Sequence, residues 1–210
     1  MASFTIEDFS KHSPFYCHYQ GGLFWMPMGL GGNNNVVNQG TEDASVGVKA
    51  LVPGSTSSDP TKCWIPGFGM TLYVLMGATW TGTILIEGWD QFGGITSEIV
   101  SIVADVRART TRVYAAVSNV QVLTSDGSPT LQVSTRTSAT SGEEASHGLP
   151  FRLRRSSDLV GAYISHQSPT ILVGATYDPL NASVRLADGA LTAAGQLGYF
   201  MILPGAILTL

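Results

Sequence analysis

In the segment T-G-T-I-L-I-E-G-W-D-Q-F-G-G, residues 81–94, an acid, an amide and two aromatics stand together between glycines. Trp89 and Phe92 offer ring faces for a sugar, and Asp90, with Glu87 before it and Glu98 after it, offers carboxylates for acid–base hydrolysis. Glycoside hydrolysis needs two carboxylates held at a set separation across the scissile bond. No such pair is positioned here, and Glu143-Glu144 lies in a polar stretch that reads as a solvated tip. Aspartate also suits turns, because its carboxylate accepts hydrogen bonds from nearby backbone N–H groups. With β-rich runs on both sides, W-D-Q-F reads as the turn of a hairpin. Trp89 and Phe92 are left either to cap a core or to touch a neighbour.

Other chemistries fare no better. His12, Cys17 and His18 resemble the start of a metal site, but zinc wants four ligands and no second short-spaced pair follows. His147 and His166 are isolated, and nothing places Cys17 beside His147 as a thiol–base pair. The run G-L-G-G-N-N-N, residues 29–35, lacks the lysine and the preceding strand of a phosphate-binding loop. There is no G-x-S-x-G, H-E-x-x-H or G-x-G-x-x-G. The sequence therefore predicts no catalytic residue, no metal and no cofactor. Arginines cluster as Arg107, Arg109, Arg112 and as Arg152, Arg154, Arg155, each set with two members on one strand face. With a net charge of −4, neither direct nucleic-acid binding nor attraction to an anionic membrane is expected. Pairing with acidic groups of an adjacent subunit is the expected use, since arginine is favoured at protein interfaces.

The elements that would carry these residues are strands. The 210 residues are enough for one well-cored domain with an arm. Only 12% are charged, against about 25% in ordinary soluble proteins. So few charges solvate a monomer poorly, and burial of surface against other subunits is expected. The apolar runs are broken by glycine and proline before reaching the roughly 18–20 residues of a membrane-spanning helix. The opening M-A-S-F-T-I-E-D-F-S carries Glu7 and Asp8 and has no secretory-leader pattern. Cys17 and Cys63, the two cysteines, fit a reducing cytoplasm rather than a disulfide framework.

Residues 1–40 read as an extended, irregular N-terminal arm. Pro14, Pro27 and the Gly/Asn run interrupt it, while Phe4, Phe9, Phe15, Tyr16, Tyr19, Phe24 and Trp25 imply that it docks its rings on something. Residues 41–210 read as a β-rich core with a polar connector near 138–170. Val46, Val48 and Ala50 alternate, as do Leu72, Val74 and Met76. A phase change near Ser118-Asn119 predicts a bulge, and Asp126-Gly127 predicts a hairpin turn. Short β-rich runs without helical periodicity predict an all-β fold, an antiparallel sandwich or barrel of Ig-like or jelly-roll-like kind.

Three strings carry a resemblance. T-G-T-I-L-I-E-G-W-D-Q-F-G-G-I-T-S-E-I-V, residues 81–100, is similar to a T-G-T-D-Q-F-G…S-E hairpin of tailed-bacteriophage virion proteins. H-G-L-P-F-R-L at 147–153 and G-A-T-Y-D-P-L at 174–180 resemble later segments of the same proteins, in the same order. The aromatic arm has no counterpart in that pattern. The resemblance implies a non-enzymatic virion protein, either a head decoration (cement) protein or a tail, neck or fibre-base component. The decoration reading implies a homo-oligomer, a trimer, on the capsid surface, bound to the major capsid protein after assembly in the bacterial cytoplasm. Phe15, Tyr16, Tyr19, Phe24, Trp25, Trp89, Phe92, Arg152, Arg154 and Arg155 are the expected intersubunit or capsid contacts. A carbohydrate-binding sandwich using Trp89 and Asp90 is the expectation from a different class.

Overall fold

The computed structural model describes residues 18–20, 23–27, 36–52, 63–65, 68–135, 146–165, 171–173, 175–186, 197–202 and 207–208. The strands are β1 (His18–Gln20), β2 (Leu23–Pro27), β3 (Gly47–Val48), β4 (Cys63–Trp64), β5 (Tyr73–Trp89), β6 (Ile95–Arg109), β7 (Ala116–Ser125) and β8 (Leu131–Ser134). They continue as β9 (His147–Gly148), β10 (Arg152–Leu153), β11 (Leu159–Ser165), β12 (Ile171–Val173), β13 (Ala175–Asp178), β14 (Ser183–Leu186), β15 (Leu197–Ile202) and β16 (Ile207–Leu208). Every sheet pairing among the described residues is antiparallel. Among the described residues there is no α-helix and no sheet closes into a barrel, so the all-β expectation holds with open sheets.

The long β5–β6 hairpin organises the core, and it is folded over on itself. Arg109 pairs with Tyr73 near the start of β5. Glu98, eleven residues earlier, accepts hydrogen bonds from Thr111 N at 2.9 Å and Arg112 N at 3.0 Å. A straight strand would hold Glu98 and Arg109 roughly 35 Å apart. The bend lies between Leu75 and Gly82, where the β5–β6 register shifts twice, and Ala104 on the partner strand takes φ 49°. Trp80 fills the corner at 1% exposure, its indole N–H donating to Ser125 Oγ at 3.0 Å and to the Gly127 carbonyl at 3.3 Å. A Cβ at Gly82 would strike both the Trp80 ring and the Thr124 carbonyl, so only glycine passes this point.

On one side of the bend, β8 pairs with the first residues of β5; on the other, β7 pairs with Gly82–Trp89, and β3 and β4 pair with β7. The inward side chains form one cluster that joins Leu72, Val74, Met76, Leu131 and Val133 to Ile84, Ile86, Val100, Ile102, Val117, Val120 and Val122. Each such side chain, fully buried, contributes about 1.5–3 kcal/mol. The predicted bulge is present. Glu87 pairs with Asn119 and Gly88 with Val117, leaving Ser118 unpaired. The predicted Asp126-Gly127 hairpin is not. β7 and β8 lie along the same edge of β5, and residues 126–130 carry the chain round the bend instead. The turn chemistry is used there locally: Asp126 Oδ1 accepts the Thr81 N–H at 3.0 Å, and Asp126 N donates to the Thr81 carbonyl at 3.1 Å.

The Val46–Ala50 alternation yields only the two residues of β3, with its apolar side outward. Val46 is 64% and Val48 69% exposed. Lys49 is buried instead, with Nζ 3.4 Å from Asp43 Oδ1 and 3.1 Å from Ser45 Oγ. Ser45 is the main hydrogen-bond donor that lowers the Asp43 carboxyl below its ordinary value.

Within the first forty residues, β1 and β2 form a hairpin, and β2 pairs with β15 of the same chain in the sheet order β1-β2-β15-β11-β12. Val36 and Val37 are fully buried, and both N–H groups donate to the Val133 carbonyl. Of the 138–170 connector, residues 146–165 carry β9, β10, a 3-10 turn at Ser156–Asp158, and β11. β9 joins β14 and β13, and β10 joins β16.

Candidate functional site

The turn between β5 and β6 is built by its own residues. Asp90 Oδ1 accepts the N–H groups of Phe92 at 2.9 Å and Gly94 at 2.8 Å. Asp90 N donates to the Gly94 carbonyl, Gly93 N donates to the Asp90 carbonyl, and Gly93 takes φ 79°. The aspartate is thus a turn residue, as the sequence predicts.

Gln91 points the other way. It is 4% exposed, and its amide Nε2 donates to the carbonyls of Asn181 at 2.8 Å and Ala182 at 3.2 Å. Those carbonyls belong to the turn between β13 and β14, which Asp178 holds by accepting from Leu180 N at 2.9 Å and Asn181 Nδ2 at 2.7 Å. Ala182 sits at φ 47°, and its carbonyl also accepts the Leu149 N–H at 2.8 Å. A left-handed alanine costs about 1 kcal/mol, which the surrounding contacts must outweigh. Arg152 closes the group. Its guanidinium carbon lies 4.9 Å from the centre of the Phe92 ring, and Nη1 donates to the carbonyls of Leu180 at 3.2 Å and Pro179 at 3.4 Å. Leu153 N donates to the Tyr177 hydroxyl at 2.9 Å, and burial raises the Tyr177 pKa. Hairpin, 147–153 segment and 174–180 segment, far apart in sequence, therefore meet at one place.

The expected contact residues divide unevenly. Phe92 and Arg152 come together in this junction, with Phe92 half-buried. Trp89, at the end of β5, pairs with Ile95 and Ala116 on the face of the sheet away from the core. Arg154 and Arg155 are exposed beyond β10, and Arg155 N donates to Asp158 Oδ2 at 2.9 Å, holding the 3-10 turn. Tyr19 lies in β1 opposite Phe24 of β2, and Trp25 lies between His18 and Tyr199. Phe15 and Tyr16 are outside the described residues. The carboxylates do not assemble into an acid pair: Asp90 serves its turn, Glu98 bonds Thr111 and Arg112, and Glu87 Oε2 accepts Asn119 Nδ2 at 2.8 Å. Among the described residues no group of three or more His, Cys, Asp or Glu side chains could hold a metal. Cys63 is 1% exposed, and burial pushes its thiol up to about 12, which makes it a poor nucleophile.

A surface that the sequence did not mark lies on the outer face of the β5–β6 sheet. Ile95, Ile99 and Val103 project from one face of β6 at 67%, 58% and 76% exposure. Leu85 pairs with Ile99, and Gln121 links that row to Val48 of β3. Glu87 is the one ionisable residue among Thr83, Leu85, Glu87, Trp89, Ile95, Ser97, Ile99, Ser101 and Val103. Their alternation was legible, but alternation does not say which phase faces out. Leu180, at 83% exposure, is a further apolar side chain beside Arg152. No described helix is long and apolar enough to cross a membrane. Comparison with protein-family models, curated proteins and solved structures gives no match.

Proposed function

We propose that the chain is a non-enzymatic structural protein of a phage particle, a homo-oligomeric decoration protein that binds the assembled capsid. The observation that carries the reading is the outer face of the β5–β6 sheet, which is exposed, rich in Ile and Val, and almost without charge. Two copies of a chain with net charge −4 repel at long range. An apolar, nearly uncharged face brings them together without adding local repulsion, and this face is of that kind. The three strings similar to phage virion proteins supply the setting. Their meeting in a single hydrogen-bonded junction gives those strings a shared structural reason. As a decoration protein the chain acts by mass action: binding the assembled shell and not its dissociated subunits stabilises the shell by RT ln(1 + [L]/Kd).

The test is to purify the protein and mix it with capsids lacking it. Oligomers in light scattering and a raised temperature of capsid disruption are expected, with Ile99→Lys abolishing both. A monomer that leaves capsid stability unchanged defeats the reading, and gold-labelled protein found on tails or necks moves it to that station.

A further inference from the structure

Asp126 and Gly127 carry the chain past the Trp80 corner, and the linkage between them has a chemistry of its own. We propose that it is a modification site, where the Asp126 carboxyl condenses with the Gly127 amide and the main chain isomerises, loosening the bend. In the first step Gly127 N attacks Asp126 Cγ. The N–Cγ bond forms, a Cγ–O bond breaks, and the amide hydrogen leaves with the carboxyl's OH as one molecule of water. The product is a five-membered cyclic imide. Water then adds back at either imide carbonyl. Opening at Cγ restores aspartate, and opening at the main-chain carbonyl leaves isoaspartate, whose backbone runs through the side-chain methylene. No oxidant, reductant or cofactor is consumed.

Among the described aspartates only Asp126 is followed by glycine, the residue that crowds an attacking nitrogen least. Asp178 precedes Pro179, which has no N–H to lose. Asp90 precedes Gln91, and its Oδ1 is held by the N–H groups of both Phe92 and Gly94. Asp126 and Gly127 are both exposed, and a Cβ on Gly127 would meet nothing nearer than Pro129 Cδ at 3.9 Å, so the linkage has room to turn. Gly127 N stands outside the sheet ladders, donating to the Ser125 hydroxyl at 3.2 Å rather than to a main-chain carbonyl. Isomerisation adds one methylene to the backbone at this point. It displaces the Gly127 carbonyl, which accepts the Trp80 indole N–H at 3.3 Å, and the carboxylate that accepts the Thr81 N–H at 3.0 Å. Trp80, 1% exposed, then keeps only Ser125 Oγ. The site is independent of the assembly role.

The test is to incubate the folded full chain in warm neutral buffer and map its tryptic peptide 113–136, in which Asp126 is the one aspartate. Two new species are expected. One is lighter by a water molecule, and the other has unchanged mass and takes a methyl group from an isoaspartyl methyltransferase. Asp126→Glu keeps the charge but would need a larger ring, and should abolish both. Gly127→Ala, whose methyl has room in the fold, should slow both several-fold. The purified isoaspartyl form should unfold at a lower urea concentration than the parent, having lost contacts at the corner. A folded chain left unmodified over a time in which the guanidinium-unfolded chain converts overturns the proposal, as does Gly127→Ala converting at the parent's rate. An isoaspartyl form with the parent's urea midpoint overturns the effect on the bend.

Discussion

Replacing Gln91 by glutamate should destabilise the protein more than truncating it to alanine, although glutamate has nearly the same shape. Gln91 is 4% exposed and donates from Nε2 to two carbonyls, Asn181 O at 2.8 Å and Ala182 O at 3.2 Å. Gln91→Ala removes both bonds, each with a net contribution of about 1 kcal/mol, and leaves buried acceptors short of a partner at about 1–3 kcal/mol. Ala182 O keeps the Leu149 N–H, so the second penalty falls mainly on Asn181 O. A loss of about 2–4 kcal/mol follows. Gln91→Glu loses the same bonds and in addition aims a carboxylate at two carbonyl oxygens, an uncompensated buried charge costing about 3–5 kcal/mol. Protonation relieves it, because a carboxylic acid regains a donor.

The glutamate variant's folded pKa is therefore raised above the unfolded value of about 4.3. Its stability should be highest below that pH, where the single O–H of the acid restores one of the two donated bonds, and is lost as pH rises through the folded pKa. Urea unfolding midpoints from pH 4 to pH 8, at constant slope, measure this directly. A glutamate variant whose difference from the parent stays flat over that range would refute the donor geometry. An alanine variant within about 0.5 kcal/mol of the parent, the range of a neutral surface change, would refute the burial.

Two further predictions concern the core. Gly82→Ala places a methyl against the Trp80 ring and the Thr124 carbonyl at the bend, and should cost about 1–3 kcal/mol in thermal unfolding. Gly127→Ala, whose nearest neighbour would be Pro129 Cδ at 3.9 Å, should change stability by less than about 0.5 kcal/mol. Cys63 is raised by burial from 9.0 to about 12, so the unfolded chain loses the thiol proton first. Stability from this group is complete below pH 9 and falls as pH rises toward about 12, by up to about 1.4 kcal/mol per pH unit. In Cys63→Ala the decline between pH 9 and pH 10, ahead of tyrosine titration, should vanish from the urea midpoints.

What the sequence disclosed was local. The hairpin at residues 81–100, the role of Asp90 in its own turn and the bulge at Ser118 all follow from period-two patterning and turn chemistry within a few residues. The fold-over of that hairpin did not follow, because Leu72–Met76 and Thr83–Glu87 read as separate strands. What joins them is Trp80, held by Ser125 and Gly127 far along the chain. Asp126-Gly127 misled for the same reason: its turn propensity is real but serves a corner imposed by Trp80. Gln91 meets the carbonyls of residues 181 and 182 only after separate sheets pack together, and D-Q-F contains none of that information.

The proposed association through β6 has a choice between its edge and its face, and the edge is the poorer candidate. Among the described residues β6 pairs only with β5 in the sheet order β3-β7-β5-β6, so its other side is where a strand of a second copy would add. Two devices oppose that. Glu98 lies on the core-facing phase of β6, with Thr96 and Val100, and Thr111 and Arg112 cross beside the strand to bond its carboxylate. Ala104, at φ 49°, breaks the regular ladder between Ile102 and Asp105. A bulge and an inward charge are the features with which natural sheets avoid edge-to-edge growth. The face suffers neither obstacle: Ile95, Ile99 and Val103 repeat every fourth residue on the outward phase, with Leu85 and Trp89 beside them. Edge growth by a strand has no natural stop, whereas two faces meeting about a symmetry axis can close. A chain that obstructs the first and leaves the second open is suited to a closed oligomer rather than to a fibre.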